Sequence, residues 1–119
     1  MSLRSFTIYD MFKRNASLFK SEIAIQSENQ KITYGELFEQ ANRTAGWLNG
    51  KGIRKGDRIA ILAKNDLQFF PLMGAIAARG AIMVPINFRL SADEIAYNLT
   101  NTEPQMIVVD RGSRAVHFG

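Results

Sequence analysis

Cysteine is absent from the 119 residues, and the single histidine, His117, lies two positions from the end. The first absence excludes a disulfide framework, a thiolate nucleophile and a cysteine zinc site. The second leaves almost nothing from which to build a nucleophilic triad or a histidine metal cluster. Proline is scarce, with only Pro71, Pro85 and Pro104, and the nine glycines never fall into a G-x-G-x-x-G fingerprint. A dinucleotide-binding fold is therefore disfavoured. No strong excess of one charge exists either: 15 basic against 11 acidic residues give +4, which suits a soluble protein and identifies no anionic partner. What remains is ordinary globular usage, 46% hydrophobic and 22% charged. A chain of this size forms one domain and buries roughly two-thirds of the surface that its unfolded form exposes.

The first ten residues lack the apolar core of a signal peptide and carry Arg4 and Asp10, so a cytoplasmic location is expected. Met1-Ser2-Leu3 has the look of an expression remnant and is set aside. The stretch from Leu67 to Phe88 is long enough to span a bilayer, but Arg79 falls near its middle and Gly80 follows. A central arginine costs about 2.5 to 3.5 kcal/mol on insertion scales. The reading is a buried helix followed by a buried strand, with no integral membrane segment.

Capping residues divide the chain. Thr7 and Asp10 open a short amphipathic helix with Ile8, Met11, Phe12 and Leu18 on its apolar side. Two β-biased runs, 22–27 and 30–34, flank Glu28-Asn29 and predict a hairpin. Thr33 and Glu36 form a T-x-x-E capping box, and Leu37, Phe38, Ala41, Ala45 and Leu48 then recur at helical spacing until Gly50 and Gly52. A turn at Lys55-Gly56-Asp57 leads into RIAILAK, 58–64, apolar enough for a central parallel strand. Asn65 or Asp66 caps a helix running to Arg79 that is apolar on nearly all sides. Pro71 falls at its first turn, and Gly74 would let another backbone approach. AIMVPI, 81–86, predicts a second buried strand. Ser91 and Glu94 form another capping box, with Ala92, Ile95, Ala96 and Leu99 on one face of a helix ending before Pro104. MIVVD, 106–110, is the third strand. The order specifies an α/β fold: an N-terminal helix and β-hairpin, then a right-handed βαβαβ parallel-sheet unit.

Ligands in such sheets bind beyond the carboxyl ends of the strands, so the loops after Ala63, Ile86 and Asp110 are the places to search. None is glycine-rich. Gly46 to Gly52 has a superficial likeness to a phosphate loop, but it lies at the carboxyl end of a helix, where the dipole repels phosphate. Lys51, Arg54, Lys55 and Arg58 form the densest basic cluster. Without interleaved aromatics beyond Trp47 it reads as a solvated turn, and no nucleic-acid partner is expected. Asp93 and Glu94 sit in a helix's first turn, where capping accounts for them. Trp47, Phe69, Phe70 and Phe88 read as core rather than pocket lining, and Tyr34 as packing. The sequons at Asn15, Asn42 and Asn98 are incidental in a chain without a secretory signal. Arg111 and Arg114, three residues apart beyond the third strand, could together hold a phosphate; otherwise they are a basic tail.

Taken in order, ITYGEL, GIRKGDRIAILAKN and RGAIMVPINFRLSADEIAYNL, ending on MIVVD, resemble the start of the adenylate-forming (AMP-dependent) acyl-CoA synthetase family. The resemblance runs from about Ser21 to Asp110, and INFRL leans toward long-chain fatty-acid or aryl-acid CoA ligases. It implies that residues 1–119 are a partial N-terminal AMP-binding domain. It also implies a full-length activity: ATP-dependent activation of a carboxylate, with magnesium, to an acyl-adenylate, followed by thiolysis by coenzyme A. The family's Ser/Thr/Gly-rich phosphate loop with its lysine does not occur in this sequence, nor does the C-terminal lid with its catalytic lysine. No catalytic residue is carried over, and the isolated chain is expected to be inactive. Arg111 and Arg114 match the place where some acyl-CoA synthetases meet the nucleotide phosphate of coenzyme A.

Two other readings compete with a scaffold fragment: a stand-alone dimeric binding or assembly module of the same ancestry, and an unrelated flavodoxin-like module that binds an anionic ligand or nucleic acid. If the helix 67–78 normally packs against later parts of a larger enzyme, several hundred Å² of apolar surface would be bare. Self-association through that surface or through a sheet edge, as a dimer, is the expected consequence.

Overall fold

The structure, a computed structural model, describes residues 7–62, 69–87 and 89–109. Helix α1 (Ile8–Leu18) begins at the capping box read from the sequence: the Asp10 N–H donates to Thr7 Oγ1, and the Thr7 N–H donates to Asp10 Oδ2 at 2.9 Å. Strands β1 (Ile23–Gln26) and β2 (Lys31–Thr33) form an antiparallel hairpin that is a sheet of its own. Its turn closes through the Ser27 N–H on the Gln30 carbonyl at 2.8 Å. Thr33 ends β2 and at once caps α2 (Tyr34–Gly50), with Glu36 completing the box. One threonine thus converts strand to helix without a loop.

The second sheet holds β3 (Arg58–Leu62), β4 (Ile82–Ile86) and β5 (Met106–Val109), all parallel, in the order β4-β3-β5. Helix α3 (Phe69–Ala78) joins β3 to β4, and α4 (Ala92–Thr102) joins β4 to β5. The chain moves one way from β3 to β4 and back across β3 to reach β5. Right-handed crossovers in opposite directions place their helices on opposite faces. The side chains obey this. Ile59 and Ile61 pack with Leu48, Leu72, Ala75 and Ile76 on the α2/α3 face, and Ala60 and Leu62 pack with Ile86 and Ile95 on the α4 face. A third cluster of Phe12, Leu37 and Ala41 ties α1 and α2 to the hairpin.

Three expectations differ from the structure. First, β4 is not a buried strand: Ile82 is 48% exposed, because among the described residues β4 pairs with β3 alone and stands at the sheet edge. Second, α3 is not bare. It packs against α1 and α2 as well as the sheet, burying Pro71, Leu72, Gly74, Ala75 and Ile76, and of its large side chains Phe70 stands out into solvent. The covering comes from the N-terminal helices. Third, the approach at Gly74 is not made by a backbone. A β-carbon there would meet the ring of Phe12. The capping of α3 by Asn65 or Asp66 lies outside the described residues.

Candidate functional site

Parallel register places the strand ends level. Leu62 is paired with both Ile86 and Val109, so the three strands end side by side. That end is where an α/β sheet takes its ligands. After β4, the Asn87 side chain accepts the Arg89 N–H at 3.0 Å, while the Asn87 carbonyl accepts the Leu90 N–H at 3.2 Å. This tight turn delivers Ser91 to the head of α4. There the Ser91 N–H donates to Glu94 Oε1 and the Glu94 N–H donates to Ser91 Oγ, both at 3.2 Å. The Ser91 backbone N–H, and after it the hydroxyl, favour the charged carboxylate and hold Glu94 below the ordinary glutamate value of 4.5. Glu94 is therefore a committed cap rather than an acid poised to transfer a proton. Beside it, Leu90, Asp93, Glu94, Tyr97 and Asn98 line a shallow groove of about 370 Å³ open to solvent.

The residues singled out in the sequence divide sharply. Arg111, Arg114, Phe88 and the segment Lys64 to Leu67 lie outside the described residues. The Gly46 to Gly52 segment does form the carboxyl end of a helix, with Gly52 in the left-handed region at φ 83°. Of the basic cluster, Arg58 is a structural tie. Its guanidinium donates to the Thr102 carbonyl at 2.8 Å and its N–H to Gln105 Oε1 at 2.7 Å, pinning the start of β3 to the end of α4. Arg79, which the sequence marked only as an obstacle to membrane insertion, donates to the Ile53 carbonyl at 3.1 Å and closes α3 onto the loop before β3. No spacing rule pointed to either tie, because each partner carbonyl lies more than twenty residues away. Tyr34 packs as expected, its ring 6.3 Å from that of Phe19. Trp47 does not join the core and remains 51% exposed.

A level sheet end flanked by a capped helix states an architecture that many chemistries share. Comparison with known proteins is more specific. The family model described as AMP-binding enzyme matches residues 12–117. The chain belongs to the AMP-binding enzyme family. It is 38% identical over 97 residues to the 2-succinylbenzoate–CoA ligase of Listeria monocytogenes, covering 82% of this chain and 21% of that protein. To the long-chain-fatty-acid–CoA ligase FadD13 of Mycobacterium tuberculosis it is 39% identical over 93 residues, covering 78% and 17%. The solved fatty acyl CoA synthetase of Mycobacterium tuberculosis superposes on 95% of this chain and 23% of its own with a TM-score of 0.88 at 30% identity. The chain therefore spans about a fifth of the length of the curated relatives it matches. Its mixed α/β fold, with N-terminal helix, hairpin and parallel three-stranded sheet, is that of N-terminal parts of these AMP-binding enzymes.

Proposed function

We propose that this chain is the N-terminal scaffold of an acyl-CoA ligase that, at full length, activates a fatty or aryl carboxylic acid with ATP and passes the acyl group to coenzyme A. The observation that carries this reading is its breadth: one family model runs from residue 12 to 117, and the relatives it resembles are CoA ligases. ATP would supply the leaving pyrophosphate, and magnesium would neutralise its charge.

The residues present do not fit that nucleotide. Among the described residues no group of three His, Cys, Asp or Glu side chains could hold a metal ion, and Glu94 is occupied by its cap. The sequence also lacks a Ser/Thr/Gly-rich phosphate loop with its lysine. What this chain offers is position. It supplies a level sheet end and the α2/α3 layer packed on one sheet face, on which later parts of a ligase would assemble. Arg111 and Arg114 are proposed to meet a phosphate of coenzyme A. The test is pyrophosphate release by the purified 119-residue chain with ATP, magnesium, coenzyme A and a panel of fatty and aryl acids. No acid-dependent release is expected, and turnover would remove the scaffold reading.

Self-association at a sheet edge belongs to the same proposal, and main-chain parity supports one edge over the other. The Ile82 N–H donates to the Asp57 carbonyl at 2.7 Å, so residues 82, 84 and 86 face β3 and residues 83 and 85 face outward. Outward-facing Pro85 has no N–H, which blunts the β4 edge. On β5, the Gln105 N–H donates to the Arg58 carbonyl at 2.8 Å, which turns Met106 and Val108 outward with both main-chain groups present. An added strand therefore fits β5. A concentration-dependent dimer in sedimentation supports the proposal, and a compact monomer at every concentration removes it.

A further inference from the structure

Trp47 is the only tryptophan in the chain, and about half of it stands in solvent. It lies near the end of α2 on the stripe that carries Glu39 and Arg43, one turn before Lys51. Lys51 Nζ sits 5.7 Å from the indole centroid, over the ring. The chain then turns at Gly52, φ 83°, and again at Gly56, φ 86°, presenting Arg54 and Lys55 as exposed cations between the two turns. The stem of Lys55 lies beside Gly80, its Cγ 3.1 Å from where a β-carbon on that glycine would be. Nor are these charges consumed internally. Among the described residues no ion pair holds Lys51, Arg54 or Lys55, and the neighbouring acid, Asp57, spends a carboxylate oxygen on the Arg54 backbone N–H at 2.8 Å.

We infer that this corner, Trp47 with Lys51, Arg54 and Lys55, docks on the surface of an anionic phospholipid bilayer. An exposed indole beside cations matches the headgroup boundary, where an amphipathic ring sits at the interface and basic side chains reach lipid phosphates. Single-stranded nucleic acid is the poorer fit, because it calls for several aromatic platforms in succession and this corner has one. No helix among the described residues is long and apolar enough to cross a membrane, so docking would be peripheral. The inference does not rest on the ligase reading, since every residue it uses is placed by the fold alone.

The lone tryptophan makes the test direct. The full chain is titrated with vesicles of phosphatidylcholine alone, and with vesicles containing phosphatidylserine, while indole emission is followed. A blue shift with the anionic vesicles only, weakening as salt rises, is expected. Each cation near such a surface is worth about fivefold in partitioning, so the triple variant Lys51→Gln/Arg54→Gln/Lys55→Gln should bind about a hundredfold more weakly. All three side chains are exposed, so an unchanged circular dichroism spectrum is expected alongside. The inference is overturned by no spectral change with anionic vesicles at low salt, by an equal shift on phosphatidylcholine alone, or by undiminished binding of the triple variant. A single-stranded oligonucleotide that binds the corner more tightly than the vesicles overturns it too, and reassigns the surface to nucleic acid.

Discussion

The ring of Phe12 packs against Gly74: a β-carbon placed there would stand 2.7 Å from Cδ2 and from Cε2 of the ring, and 3.2 Å from the β-carbon of Ala41. Helices α1, α2 and α3 meet at this point, and only glycine permits it. Gly74→Ala sets about 1 kcal/mol of helix propensity against roughly 1 to 3 kcal/mol of overpacking, because Phe12 is buried and has little room to yield. A net loss of about 1 kcal/mol in urea denaturation is expected. Adding Phe12→Leu to that variant should cost less than the two changes taken separately. A more stable Gly74→Ala protein would contradict the packing described.

Local signals were legible in the sequence, and signals that depend on a distant partner were not. Thr33 with Glu36 and Ser91 with Glu94 could be read because both members of each box lie within one turn. The βαβαβ order, and β3 as the central strand, followed from apolar runs punctuated by such caps. The exposure of β4 did not follow, because Ile82 is as apolar as Ile59 and the difference lies in which strands flank them. The cover on α3 was missed for the same reason: the aromatic that fits Gly74 comes from sixty-two residues earlier. At the candidate site, composition offered no cysteine and one histidine, and motif order pointed to the family. The arginine ties to the Thr102 and Ile53 carbonyls carry no pattern that a sequence could show.

Acid stability should report on the two capping glutamates. For Glu36 and Glu94, bonds from the backbone N–H and then the hydroxyl of Thr33 and Ser91 lower the folded-state value below 4.5. A depressed carboxyl contributes stability that is present above its unfolded value and is lost as pH falls through the folded one. Glutamine keeps the box geometry but cannot titrate. The Glu36→Gln/Glu94→Gln variant should therefore show a shallower loss of stability below pH 4.5 than the parent, measured by urea denaturation across pH. Identical acid limbs would refute the assignment.

The bond from the Arg58 N–H to Gln105 Oε1, 2.7 Å long, joins β3 to the residue preceding β5. Gln105→Ala should cost about 1 kcal/mol, the usual net worth of such a bond. Gln105→Glu, which keeps an acceptor, should cost less. Equal losses in thermal melts would show that the side-chain acceptor is not what matters.

Arg111 and Arg114 are testable in a chimera in which residues 12–117 of this chain replace the matching segment of the Listeria monocytogenes ligase. Reversing both charges should raise the KM for coenzyme A by tenfold or more, since two charge-assisted contacts of about 1.5 to 3 kcal/mol each are at stake. The KM for ATP should be unchanged. An unaltered coenzyme A KM removes the two arginines from the site.

That same chimera measures the central claim, that this chain is the scaffold portion of an acyl-CoA ligase. Acid-dependent pyrophosphate release should be followed for the folded chimera and, in parallel, for the isolated 119-residue chain. The account predicts turnover by the chimera and none by the chain alone. A well-folded chimera without activity, or an isolated chain that adenylates an acid by itself, would contradict it.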